Sequence, residues 1–128
     1  MQKNKSIFYI SDFSLPNMSA YALHVLKMCD AFSERNYKVN LLIPNIKKNY
    51  NFKKIKREYL LKFSFKIHSF FRLKLKRNFI TLILFSFKLL KFFKNHKKPD
   101  LIISRSILPA FLLSLFGINI FLEIHTEP

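Results

Sequence analysis

Four positions in this chain of 128 residues carry side chains whose type and placement could hold a ligand, and a fifth could take part in chemistry. Asn17 and Ser19 offer an amide and a hydroxyl just ahead of a run with helical periodicity, a place that favours anions. The same groups also serve ordinary turns and helix caps. Arg105 is the sole charge between Asp100 and Glu123 and follows a short apolar run, where a guanidinium could grip a phosphate or a carboxylate. Glu123 stands near the end of the last apolar run, placed to orient His125 or to pair with Arg105. His125 ends that run; a lone histidine there is also a common polar terminus. His68 and His96 have no carboxylate or cysteine partners at ligand spacing, so no metal is expected. Cys29 reads as a small core residue, and His24 as a surface or acceptor-side group on the first helix.

These residues need elements to position them. Residues 6–11 form a short run rich in isoleucine and aromatics, a buried-strand pattern. Ser19 is placed to cap a helix over 20–34, where Ala22, Val25, Leu26, Cys29 and Phe32 recur at helical spacing. Asn36 sits where a helix end favours a left-handed residue, and 38–43 is a second strand stopped by Pro44. Alternation over 63–68 predicts a half-exposed strand. Residues 78–95 predict a helix apolar on most of its circumference, with Lys88, Lys91 and Lys94 on the wet stripe. A strand over 101–104, a helix over 107–116 stopped by Gly117, and a strand over 118–124 complete the pattern.

Strands alternating with helices predict an α/β fold: a Rossmann-like, doubly wound parallel sheet in the order 3-2-1-4-5. Loops at the carboxyl ends of such strands share one rim, so the 17–19 loop, Arg105 and 123–127 are expected to converge. The 17 uncharged residues between Arg105 and Glu123 reach the short end of the membrane-spanning range, but Pro109 and Gly117 divide them into helix, stop and strand.

Composition narrows the function. A single glycine excludes glycine-rich phosphate loops, which need several. One cysteine excludes an internal disulfide. The formal charge is +16, and all of that excess lies in residues 45–98, which hold 17 of the 23 Lys and Arg and only Glu58 against them. The remainder is neutral, and 10 of the 16 phenylalanines also fall in 45–98. This Phe- and Lys-rich mixture suits an anionic membrane surface or nucleic acid, although no nucleic-acid motif is recognisable.

The stretch SLPNMSAYALHVLKMCDAFSERNYKVNLLIP, residues 14–44, resembles the first strand-loop-helix-strand unit of glycosyltransferase family 4 proteins. The stretch KPDLIISRSILPAFLLSLFGINIFLEIHTEP, residues 98–128, resembles that family's later strand-helix-strand unit ending in a histidine. The resemblance implies half of a GT-B fold: an acceptor-side Rossmann-like domain over 1–128, with a C-terminal donor-binding domain outside this chain. It also implies a retaining transfer from a nucleotide sugar, acting as co-substrate, to a lipid-linked or saccharide acceptor, without a metal. His125 would then approach the donor sugar, and Asn17, Ser19, Arg105 and Glu123 would bind substrate. The expected setting is cytoplasmic, at the inner face of the cytoplasmic membrane, with no transfer by this chain alone. The alternative is a basic protein that binds nucleic acid or a membrane surface without catalysis.

Overall fold

The computed structural model describes residues 5–17, 19–72, 76, 78–95 and 100–123. Its elements, in chain order, are β1 (Ser6–Ile10), β2 (Ser14–Leu15), α1 (Ala20–Glu34), β3 (Lys38–Ile43), β4 (Asn45–Ile46), α2 (Phe52–Glu58), β5 (Lys66–Ser69), α3 (Phe79–Asn95), β6 (Leu101–Ser104), α4 (Ile107–Leu115) and β7 (Phe121–Leu122). Five of the strands form a parallel sheet in the order β5-β3-β1-β6-β7. The numbering differs from the expected 3-2-1-4-5 because β2 and β4, two-residue strands, pair with each other apart from that sheet.

Side chains alternate across the sheet, as strand geometry requires. Tyr9, Val39, Leu41 and Ile43 face a layer made by α1 and α2, with Val25, Leu26, Cys29 and Ile55. Phe8, Ile10, Leu42 and Ile102 face the other layer, made by α3 and α4, with Phe85, Leu89 and Leu113. The expected doubly wound α/β architecture is therefore present. Both layers draw on the basic segment: α2 packs in one and α3 in the other, and β5 forms an edge of the sheet.

Local chemistry sets the helix ends. Ser19 Oγ accepts from the Ala22 N–H at 3.2 Å and starts α1. Asn36 takes φ of 68° just after it, as expected of a left-handed helix stop. Asn51 caps α2 by accepting from the Lys54 N–H at 3.0 Å. Asn78 and Thr81 cap α3 reciprocally, each side chain accepting from the other's backbone N–H at 2.9–3.0 Å. Gly117, at φ 83°, ends α4, and the Ile118 N–H returns to the Leu113 carbonyl at 3.2 Å. Among the described residues, no helix is long and apolar enough to cross a membrane.

Two expected strands are corrected. The alternation at 63–68 is realised as β5 at Lys66–Ser69, because the N–H groups of Lys62 and Phe63 donate instead to the Asp30 carboxylate on α1. The run at 118–124 was expected to be a strand; among its described residues Phe121 and Leu122 pair with β6, and both are exposed. Ile118 lies in the turn that closes α4, and Ile118 and Ile120 pack against the α3–α4 core beforehand.

Candidate functional site

The carboxyl ends of β1, β6 and β7 meet the first turns of α1, and a polar cluster forms there around Glu123. Tyr9 stands in β1 and is fully buried; its hydroxyl donates to Glu123 Oε2. His24 Nε2, at the start of the second turn of α1, lies 3.3 Å from Glu123 Oε1. Arg105 follows β6 and places a guanidinium nitrogen 4.0 Å from that same oxygen. The Glu123 N–H is held by the Ser104 carbonyl at 2.8 Å and the Arg105 N–H by the Ile10 carbonyl at 3.0 Å, so the sheet itself aims both side chains.

Arg105 is the unusual member. Its side chain is only 6% exposed, and its guanidinium lies over the Tyr21 ring at 4.7 Å. The same nitrogen that faces Glu123 makes no hydrogen bond. A buried guanidinium N–H without an acceptor is costly, and the Glu123 carboxylate 4.0 Å away supplies the opposite charge that offsets part of that cost. Beside it, Ser11 Oγ and Tyr21 OH are also buried without a well-formed hydrogen bond. Asp12 accepts from Ser106 Oγ at 3.3 Å, which diverts the α4 N-cap hydroxyl from capping its own helix.

The electrostatics follow this geometry. Burial would push the Glu123 carboxyl up, but the hydrogen bonds from Tyr9 and His24 and the charge of Arg105 outweigh it, so its pKa is lowered overall. Tyr9 moves the other way: burial first, then the carboxylate it donates to, raise its phenol. Burial and the nearby Asp12 charge push Tyr21 up to about 12. Near neutral pH Glu123 is thus an ionised carboxylate that accepts from the neutral Tyr9 phenol and lies beside the Arg105 guanidinium.

Of the residues singled out by sequence, Arg105 and Glu123 come together, as the rim argument expects. Asn17 and Ser19 lie next door, lining a cleft of about 500 Å³ with Asp12, Tyr21, Lys76 and Thr81. Tyr21 and Asp12 thus connect that cleft to the Glu123 cluster. Both Asn17 and Ser19 also have local duties: Asn17 Oδ1 accepts from the Ser19 N–H at 2.9 Å, and the Asn17 N–H donates to Tyr59 OH at 3.0 Å. His125 lies outside the described residues. Sequence reasoning passed over Tyr9, Asp12 and Tyr21; His24, expected at the surface or on the acceptor side, is exposed and also reaches Glu123. One signal was present for Tyr9: a phenol inside a buried strand requires a polar partner. A larger groove of about 730 Å³ opens at the amino ends of the strands, between Phe93, Asp100 and Phe121, and contains none of the cluster.

No protein-family model matches the chain, and no curated protein matches it. Among solved structures, the C-terminal domain of a hydrogenase from Pyrococcus furiosus is similar, with a TM-score of 0.54 at 12% identity over 97% of this chain and 95% of that one. At that identity the likeness concerns the α/β fold.

Proposed function

We propose that this chain forms the acceptor-side part of a retaining glycosyltransferase, which moves a sugar from a nucleotide sugar to a lipid-linked or saccharide acceptor. The observation that carries the reading is convergence. The two stretches that resemble family 4 glycosyltransferases supply Tyr21 and His24 on one side and Arg105 and Glu123 on the other, and these four side chains form one cluster at the carboxyl rim. Sheets of this kind bind ligands at that rim.

In this reading the Arg105 guanidinium supplies the positive charge that attracts a phosphate or sugar oxygen to the rim, and Glu123 keeps the guanidinium and His24 in place. Tyr9 keeps Glu123 ionised. Asn17 and Ser19 line the adjoining cleft for the acceptor. His125, by resemblance, faces the donor sugar, and a second domain supplies most of the donor site. The work is done at the periphery of the inner membrane face.

The test is ligand binding to the 128-residue chain, followed by saturation-transfer NMR with nucleotide sugars, free saccharides and a soluble polyprenyl-phosphate analogue. Binding of at least one of them should be lost in Arg105→Ala, at a temperature where the circular dichroism of the variant still matches that of the parent chain. No transfer is expected from the chain alone, because reaction needs both substrates held in near-attack geometry. If no ligand binds, or if those that bind are indifferent to Arg105→Ala, the reading fails.

A further inference from the structure

We propose that the outer face of the α3–α4 layer is a docking surface for an anionic phospholipid membrane. On α3 the outward stripe reads Ile80, Leu84, Phe87 and then Lys88, Lys91 and Lys94. On α4 it reads Ile107, Phe111 and Leu115, at intervals of four residues. All six apolar side chains are exposed, Ile107 and Leu115 by 67% each. The helices pack side by side and run in the same direction, since both return from the carboxyl edge of the sheet to its amino edge. Their stripes therefore lie together on one face. Scattered exposed apolar residues are ordinary, whereas a contiguous set on two neighbouring helices marks an interaction surface.

Charge selects the occupant. Neither helix carries an acidic residue. The acidic groups of the described chain lie elsewhere: Asp30 and Glu34 on α1, Glu58 on α2, Asp12 and Glu123 at the rim, Asp100 at the amino edge. A second copy of this chain would bring the same lysines to the contact and be repelled. An apolar stripe edged by lysines matches instead the boundary of an anionic bilayer, where apolar side chains enter the acyl region and lysine heads reach the phosphates. The α2 surface, with Lys53, Lys54 and Arg57 exposed, has charge without an apolar stripe and serves as the internal comparison.

This deepens the membrane setting given above by naming the surface, and its test does not depend on the rim site. The 128-residue chain is sedimented with vesicles of phosphatidylcholine, and with the same vesicles containing phosphatidylglycerol. Binding to the anionic vesicles should be stronger by about fivefold for each lysine engaged. Phe87→Ser with Phe111→Ser should weaken it by roughly tenfold or more, with melting temperature retained because both side chains are exposed. Lys88→Glu with Lys91→Glu should abolish the preference for anionic lipid, and Lys53→Glu with Lys54→Glu should have a smaller effect. Equal binding to both vesicles would overturn the proposal. So would vesicle binding governed by α2, an α3–α4 face required for self-association rather than sedimentation, or a preference for RNA that ignores both phenylalanines. Loss of sugar binding in Arg105→Ala alongside intact vesicle binding would leave the two conclusions separately decided.

Discussion

The Glu123 cluster makes a defined demand on pH. Its carboxyl is held below the ordinary 4.5, so the stability it contributes is full above about pH 4.5 and is lost as pH falls through the lowered folded value. Tyr9 is raised above the ordinary 10.0, so its contribution is full below pH 10 and is lost as pH rises toward the raised value. Tyr21 adds to the same alkaline loss between pH 10 and about 12. Urea unfolding across pH should therefore show a plateau between these limits and a decline at each end. Tyr9→Phe should cost roughly 1.5–3 kcal/mol at pH 7, the range for a hydrogen bond to a charged group, and should move the acid decline to higher pH. Glu123→Gln should remove its share of the acid decline altogether. An acid limb unchanged by both substitutions would show that Glu123 does not couple to Tyr9.

At the scale of the element, the helices are held by a few identifiable residues. Ser19 supplies the side-chain cap acceptor of α1, so Ser19→Ala should cost about 1 kcal/mol. Gly117 tests a different cause. A Cβ added there would meet nothing within 4 Å, so Gly117→Ala should cost about 1 kcal/mol through its positive φ alone. Calorimetric melting of the two variants checks both values. A much larger loss at Gly117 would mean that the turn after α4 is packed rather than open. The outward stripe of α3 carries a further lesson: its lysines are exposed as the periodicity predicts, but Ile80, Leu84 and Phe87 share their face.

For the whole molecule, residues 45–98 carry all of the excess charge and are nevertheless integral to the fold. Ile55 of α2 is 1% exposed and belongs to the same core as Leu26 and Leu41. Ile55→Ala should therefore destabilise the chain by about 2–5 kcal/mol, as in any core, while Lys53→Glu on the same helix should stay within about 0.5 kcal/mol. Denaturant unfolding of the pair decides between an integral segment and an appendage, since an appendage would tolerate both.

Much of the fold was legible in residues 5–43 and 100–117. There the strand and helix periods are uninterrupted, and Ser19, Asn36 and Gly117 mark helix ends through their own backbone and side-chain chemistry. Local signals of this kind act within a few residues of one another, so the sequence by itself determined them. It also determined that Arg105 and the loop after β1 would share a rim, because parallel strands leave no other arrangement. Tertiary structure decided the rest. The start of β5 depends on Asp30, more than thirty residues earlier, capturing the N–H groups of Lys62 and Phe63. The length of β7 depends on how much chain the turn after α4 consumes before Phe121 reaches β6. The roles of Tyr9 and His24 depend on Glu123, about a hundred residues away in the chain, and that of Tyr21 on the distant Arg105. No periodicity encodes such pairings, because they arise only when separate strands are brought side by side and buried polar groups must find partners in one another.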